Sequence, residues 1–279
     1  MKPLLYRDLS DVLLKELIEV FNQSFKDYFI PINMDAELFN RKINLEDIDL
    51  KYSIGCFDDK KLIAFVLHGK RNTVLYNAGT GVLPEYRGNK ITQQMYQYFF
   101  NTELIKHISR VELEVIDKNY IAVSNYRNIS FNQTDTVQCF SLTLKAHLEN
   151  NKANVSESEV PADFNVENFI NSNPLWQNNI LSKEDTFSYL KFITVQKQNE
   201  IVAYALFNTL NNRLLQIGTH PNFRKQGLAT CLLQFIAQNY CRNISVINSS
   251  ITNTTLLDFL RNHNATHTIT QYQMVKSIR

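Results

Sequence analysis

Two stretches of this sequence carry residues suited to holding a polyanion. The first runs Gly81-Val82-Leu83-Pro84-Glu85-Tyr86-Arg87-Gly88-Asn89-Lys90-Ile91-Thr92, and the second Gly218-Thr219-His220-Pro221-Asn222-Phe223-Arg224-Lys225-Gln226-Gly227-Leu228-Ala229. Each reads as a strand, then proline, an aromatic, arginine, a short polar turn and a helix. Proline has no N–H to donate and so ends the strand. The first backbone N–H groups of the helix have no internal partner and point outward. With the helix dipole behind them they favour an anion such as phosphate. Neither loop fits G-x-x-x-x-G-K-[ST], which excludes a nucleotide-hydrolysing P-loop. No G-x-S-x-G or Cys–His arrangement supports a hydrolase.

The pattern R-x-x-G-x-G/A behind a strand ending in x-P-x-[YF] resembles the acyl-CoA pyrophosphate loop of the GNAT N-acetyltransferase superfamily. Arg224 to Ala229 satisfies it at every specified position. Arg87 to Thr92 keeps the arginine but has Lys90 where glycine is usual and Thr92 where glycine or alanine is usual. A side chain at position 90 could block the pyrophosphate sterically, or add a charge for it; the expectation is a loop that still binds acyl-CoA. A further segment, Asn119-x-x-Ala122-x-x-x-Tyr126-x-x-x-Ser130-Phe131, resembles the family's N-x-x-A-x-x-x-Y-x-x-x-G-F and departs from it at Ser130.

The resemblance implies acetyl-CoA as donor and transfer of its acetyl group to a primary amine by direct attack in a ternary complex. It implies cofactor contacts at Gly81, Val82, Arg87, Gly88, Asn89, Lys90, Ile91, Thr92 and Asn119. In the second half the corresponding residues are Thr219, Arg224, Lys225, Gln226, Gly227, Leu228 and Ala229. Such transfer needs an oriented donor, a neutral amine and a proton for the departing thiolate. Tyr126 is the candidate acid, because a phenol with a pKa near 10 keeps its proton at neutral pH. The base stays open among Glu112, Glu114, Tyr76, Glu46 and Asp49, or an ordered water relay. Seven residues after Asn253, where the first half has Tyr126, the second half has Leu260. The halves are therefore not chemically equivalent, and catalysis is expected in the first. One alternative places catalysis in the second half, with its more complete loop; another is a non-catalytic acyl-CoA sensor or scaffold.

The resemblance implies that these loops are positioned by two α/β (α+β) domains, each with a mixed, mostly antiparallel sheet flanked by helices. The chain has 279 residues, and the two arginines lie about one domain length apart, as in an internal duplication. The expected boundaries are 1–149, a linker at 150–163 rich in Asn, Ser and Glu, and 164–279. Ser10 is the expected cap of a first helix that carries Leu13, Leu14, Leu17, Ile18, Phe21 and Phe25 at helical spacing and ends at Pro31. A short helix over Asp35 to Ile43 turns Leu38 and Phe39 inward. A hairpin over Tyr52–Phe57 and Leu62–Gly69 follows, then a strand over Thr73 to Leu83. Arg110–Ile116 alternates as a strand with one apolar face, and a strand pair is expected in Thr136–Leu144. In the second half, Phe164–Ile170 suggests a helix, Phe192–Gln196 and Ile201–Phe207 another hairpin, and Leu214–Thr219 the strand before the loop.

The formal net charge of +2 is small, so neither nucleic acid nor a membrane is expected as partner. Cys56, Cys139, Cys231 and Cys241 show no short pairing pattern and suit a reducing compartment, and the chain reads as cytoplasmic. The expected partners are acetyl-CoA and an unidentified amine, with the chain a monomer or a homodimer. His263 and His267 have metal-like spacing but no Glu partner, and no metal is expected.

Overall fold

The computed structural model describes residues 3–30, 32–145, 153–170, 173–179 and 189–278. Pro31 and the first residues of the expected linker lie outside them. The chain forms two compact units, one of Met1–Asp135 with Tyr272–Arg279 and the other of Thr136–Gln271.

In chain order the first unit begins with β1 (Leu5–Asp8), α1 (Leu14–Phe25), α2 (Ala36–Glu46), β2 (Ile54–Asp58), β3 (Lys61–Arg71) and β4 (Val74–Val82). It continues through α3 (Ile91–Phe100), β5 (Arg110–Ile116), α4 (Tyr120–Asn128) and the start of β6 (Asn132–Thr143). The second unit takes the rest of β6, then β7 (Val155–Ser158), β8 (Leu190–Lys197), β9 (Glu200–Asn208), β10 (Arg213–Thr219), α5 (Leu228–Asn239), β11 (Asn243–Ser250) and α6 (Thr254–Asn262). The last strand, β12 (Thr266–Ser277), begins in the second unit and ends in the first.

Strands in the first unit lie in the order β1-β2-β3-β4-β5-β12, and in the second β6-β11-β10-β9-β8-β7. Pairing is antiparallel from β1 to β4, between β6 and β11 and from β10 to β7, and parallel between β4 and β5 and between β10 and β11. Those parallel pairs are short. β4 and β5 are in register at Val74–Arg110, Leu75–Val111 and Tyr76–Glu112 and no further, although β4 continues to Val82. β10 and β11 pair only at Arg213–Ser245. Strand ends paired on one side only therefore deliver the chain to each loop.

The strand patterns follow burial. In β5, Val111, Leu113 and Val115 are buried while Glu112 and Glu114 are half-buried, as period-2 alternation requires. The helix α1 buries Leu17, Val20, Phe21 and Phe25, with the Phe21 ring stacked on Phe65 of β3 and edge-on to Phe39 of α2. Leu13 occupies the position before this helix and is exposed, and no side chain caps it. The expected cap, Ser10, sits earlier, in a turn held by buried Leu9 and Val12, where its N–H donates to Asp8. In α2 Phe39 is buried and Ile43 packs partly buried against the core, while Leu38 is 44% exposed.

Three further expectations are corrected. Residues 136–144 do not form a strand pair; all but Leu144 belong to the single long β6, which pairs antiparallel with β11. Phe164–Ile170 makes only one 3-10 turn, at Val166–Asn168, started by the Asn165 side chain accepting the Glu167 N–H. The stretch 150–163 contains β7, an edge strand paired with β8. The unit boundaries also differ from 149 and 163. The end of β12 belongs to the first unit, where Ile278 N donates to Ser109 O, while most of β6 belongs to the second.

One consequence is testable. Met274, on the distant end of the chain, is fully buried in the core of the first unit. Met274→Ala should cost about 2–5 kcal/mol of that unit's stability, read as a lowered melting temperature. An unchanged melt would show that β12 does not close the first core.

Candidate active site

Both loops are built by the same local bonds. The peptide N–H of Leu83 donates to Ile63 O and that of His220 to Val202 O, which anchors each loop to the neighbouring strand. Pro84–Tyr86 and Pro221–Phe223 then form matching 3-10 turns, with the proline at the start. The arginines close the turn. Arg87 donates from Nε to Val82 O at 3.2 Å and from Nη2 to Ser24 O at 3.0 Å. Arg224 repeats this with Thr219 O at 3.1 Å and Phe169 O at 3.3 Å. These guanidinium groups thus tie the loop to the strand end and to the segment crossing it.

Two residues of each loop take left-handed backbone angles. In the first they are Gly88 (φ 83°) and Lys90 (φ 57°), and in the second Lys225 (φ 60°) and Gly227 (φ 80°). The loops share one conformation, and each spends its glycine on a different one of the two strained positions. A Cβ added at Gly227 would meet nothing within 4 Å, so a side chain at that place, as at Lys90, meets backbone strain without a steric block. Lys90 and Gly227 directly precede α3 and α5, whose first amides have no carbonyl a turn earlier to bond.

A cleft of about 610 Å3 opens in front of the first loop, lined by Gly81, Val82, Arg87, Gly88, Lys90, Ile91, Thr92, Asn119 and Tyr126, together with Thr80 and residues of α1 and α4. Most of the residues expected to touch the cofactor are therefore brought together. Asn89 is not on its wall; its amide folds back on Tyr86 O at 3.0 Å. A cleft of about 670 Å3 faces the second loop, lined by Thr219, Arg224, Lys225, Gly227, Leu228 and Ala229. Gln226 instead accepts from Lys197 Nζ at 2.9 Å.

Asn119 caps α4 by accepting the Ala122 N–H at 3.2 Å, and Asn253 caps α6 by accepting that of Leu256 at 3.2 Å. Ser130, where the family has glycine, takes φ 68°, the left-handed angle that explains the usual residue. Tyr126 is 7% exposed. Burial pushes its pKa up to about 12, only partly offset by hydrogen bonds with Thr80 and Asn77, so the phenol holds its proton. Its hydroxyl donates to Thr80 Oγ1 at 3.2 Å and accepts from Asn77 Nδ2 at 3.1 Å. Asn77 Nδ2 also reaches Tyr96 Oη at 2.9 Å, and His68 Nε2 lies 3.3 Å from Tyr96 Oη. Sequence reading missed His68, Asn77, Thr80 and Tyr96. The available signal was polar residues inside apolar strand and helix runs.

Among the carboxylates weighed as base, Glu114 stands apart. Its Oε2 accepts from Tyr76 Oη at 2.7 Å. Burial, with Glu112 and Glu46 nearby, pushes its pKa to about 7 despite that bond. Glu112 is paired with Arg110 and Glu46 with Lys42, while Asp49 accepts the Lys51 N–H in a tight turn. The second unit lacks both ionisable groups. Its β11 repeats the burial pattern of β5 from Asn243 to Ser249, which puts Ile247 in the place of Glu114. Leu260, fully buried, is in the place of Tyr126.

His263 lies at the end of α6, with Nδ1 2.8 Å from Phe259 O and Nε2 3.1 Å from Thr230 Oγ1. His267 is on β12. Among the described residues no helix is long and apolar enough to cross a membrane.

Two copies of one strand–loop–helix cleft in tandem define the class. Residues 14–131 and 155–265 each match the Acetyltransferase (GNAT) family, and the chain belongs to that family. Its fold is similar to that of a GCN5-related N-acetyltransferase from Sphaerobacter thermophilus, with a TM-score of 0.68 at 14% identity over 100% of this chain and 97% of that one. A tandem GNAT protein from the clavulanic acid biosynthesis pathway gives 0.68 at 9% identity, over 99% of each chain. A putative acetyltransferase from Pyrococcus horikoshii gives 0.65 at 11% identity, over 99% of this chain and 90% of that one. No curated protein sequence matches.

The shared loop conformation is open to test. Gly88→Ala and Gly227→Ala each place a Cβ on a left-handed residue in open space. Each should cost about 1–2 kcal/mol, and Lys90→Gly should be neutral or stabilising. A loss of stability on Lys90→Gly would contradict the assigned backbone angle.

Proposed function

We propose that the first unit is an acetyl-CoA-dependent N-acetyltransferase acting on a primary amine, with direct attack in a ternary complex. The observation that carries this reading is the meeting, on one cleft, of a helix-start anion site and a proton-bearing phenol. The diphosphate of the donor would lie against the amides from Gly88 to Thr92, with Lys90 adding a positive charge. The edge of β4 left unpaired beyond Tyr76 offers backbone groups at Gly81 and Val82 to the donor's arm.

In the reaction the amine nitrogen attacks the thioester carbonyl carbon, forming the C–N bond. The C–S bond then breaks, and the Tyr126 proton passes to sulfur as thiolate character develops. The proton lost by the amine goes through water to Glu114, which does not itself line the cleft. A carboxyl group titrating near 7 can take up a proton at neutral pH, which an ordinary surface carboxylate near 4 does poorly. The second unit, with Ile247 and Leu260 at the two positions, is then an accessory partner. Its loop has the conformation to hold an acyl-CoA without turnover.

Thiol release from acetyl-CoA, measured across a panel of polyamines, amino acids, aminoglycosides and peptide amines, tests the reading. Wild type should turn over at least one amine, and Tyr126→Phe should slow it roughly 10²-fold or more. Because Glu114 acts deprotonated, kcat/KM should rise with pH through about 7, and Glu114→Gln should remove that limb. Full activity of Tyr126→Phe would move catalysis to the second unit. Binding with no turnover on any amine would favour a sensor or scaffold.

A further inference from the structure

Behind Tyr126 the first unit buries a connected row of polar side chains that the proposed chemistry does not itself use. The row begins at a backbone carbonyl. Tyr52 O, which can only accept, lies 2.7 Å from His68 Nδ1, so that nitrogen carries the hydrogen. His68 is fully buried, and burial pushes its pKa down to about 4. The ring is neutral, and Nε2 must accept. Its partner is the Tyr96 hydroxyl at 3.3 Å, whose proton therefore points at His68. The Tyr96 oxygen is then the acceptor for Asn77 Nδ2 at 2.9 Å. The amide of Asn77 cannot turn over, because its Oδ1 accepts the Gly79 N–H at 3.0 Å. Its Nδ2 also faces the Tyr126 oxygen at 3.1 Å. That nitrogen also lies 2.9 Å from Thr80 Oγ1, so its two hydrogens serve three oxygens. Because it can only donate, the proton of Tyr126 cannot point at it and goes to Thr80 on the cleft wall, whose own hydroxyl donates to Asn77 Oδ1 at 3.2 Å.

The second unit supplies a control within the same chain. Asn77 pairs with His68 across β3 and β4, and the equivalent pair across β9 and β10 is Leu214 with Phe207. Tyr96 is the sixth residue of α3 and Leu233 the sixth of α5. Tyr126 and Leu260 are each seventh in α4 and α6. Thr80 and Ile217 are each third from the end of β4 and β10. All five polar groups are thus apolar in the copy. The same framework closes its core with Phe, Leu and Ile, so the polar row is not required to build the fold. Buried polar groups are costly unless each is bonded, and local departures of this kind collect at functional sites.

We propose that His68, Tyr96 and Asn77 are positioning residues that orient the Tyr126 hydroxyl, holding its proton toward the cleft where the leaving thiolate forms. This rests on the reading of Tyr126 as the acid. The row moves no proton of its own; it fixes which way one hydroxyl points.

The test compares Tyr96→Phe, which removes one oxygen and keeps the ring, in wild type and in a Tyr126→Phe background. The assay uses acetyl-CoA and whichever amine of the panel gives turnover. Tyr96→Phe alone should lower kcat about tenfold, with the KM for acetyl-CoA unchanged and the chain still folded, though melting lower because buried His68 Nε2 loses its donor. On top of Tyr126→Phe it should cost nothing further, since residues acting through one group are not additive. Should Tyr96→Phe misfold, His68→Phe, the residue of the copy, takes its place in the same cycle. Equal loss in both backgrounds, or no loss in either, overturns the positioning role and leaves Tyr126 as the acid. Full turnover by Tyr126→Phe alone, or no turnover on any amine, overturns the acid reading and this inference with it.

Discussion

Everything at the site follows from the place where two parallel strands stop pairing. β4 and β5 are in register for three residues and then part at Tyr76 and Glu112. From there β4 keeps only its antiparallel partner β3, and its free edge runs on to Gly81 and Val82. The strand end must then be held without a second neighbour, and Arg87 does this by bonding two carbonyls, one on β4 and one on α1. The same constraint explains Gly81, where a Cβ would meet the Phe65 ring at 2.5 Å and the Cβ of Ser24 at 2.8 Å. α1 must cross this close for Ser24 O to reach the arginine. An opening between strands, a clamp behind it and a helix start in front of it form one construction. It occurs twice.

The duplication separates what the construction needs from what the chemistry needs. Arginine, proline, the aromatic, the capping asparagine and the two left-handed residues persist in both units, and each has a bond or a backbone angle that explains it. The ionisable and polar groups do not persist. Glu114, Tyr126 and the row behind it are replaced by side chains of the kind a core uses when only packing matters. Family membership carries acyl transfer as a general activity. The difference between the units is the ground on which the first is proposed as the catalytic one.

Much of this was legible in the sequence because it is local. Proline, glycine and arginine at fixed spacing report a turn whose bonds span few residues, and β5 declared its alternation from Val111 to Val115. The carboxylates Glu112 and Glu114 were seen to share a face, but not that one is paired with Arg110 and the other bonded to Tyr76. What was hidden depends on contacts far apart in the chain. Asn77 meets Tyr126 across 49 positions, and nothing near either residue signals it. The exchange of strand ends was hidden for the same reason. β12 continues past Gln271 into the first unit, whereas a reading by halves assigns each strand to the half that encodes it. Lys90 shows the opposite limit. From the sequence its departure from glycine leaves open a steric block or an added charge; the backbone shows that Gly88 supplies one of the two left-handed residues and Lys90 the other, with the order reversed in the second loop.

The proposed function rests on the donor's phosphates lying against the amides at the start of α3. Amide hydrogen exchange of the intact chain, with and without acetyl-CoA, reads those groups directly. Slowed exchange is expected across Gly88 to Thr92, whatever happens at the second loop. Protection confined to Lys225 through Ala229, with Gly88 to Thr92 exchanging as before, would contradict it.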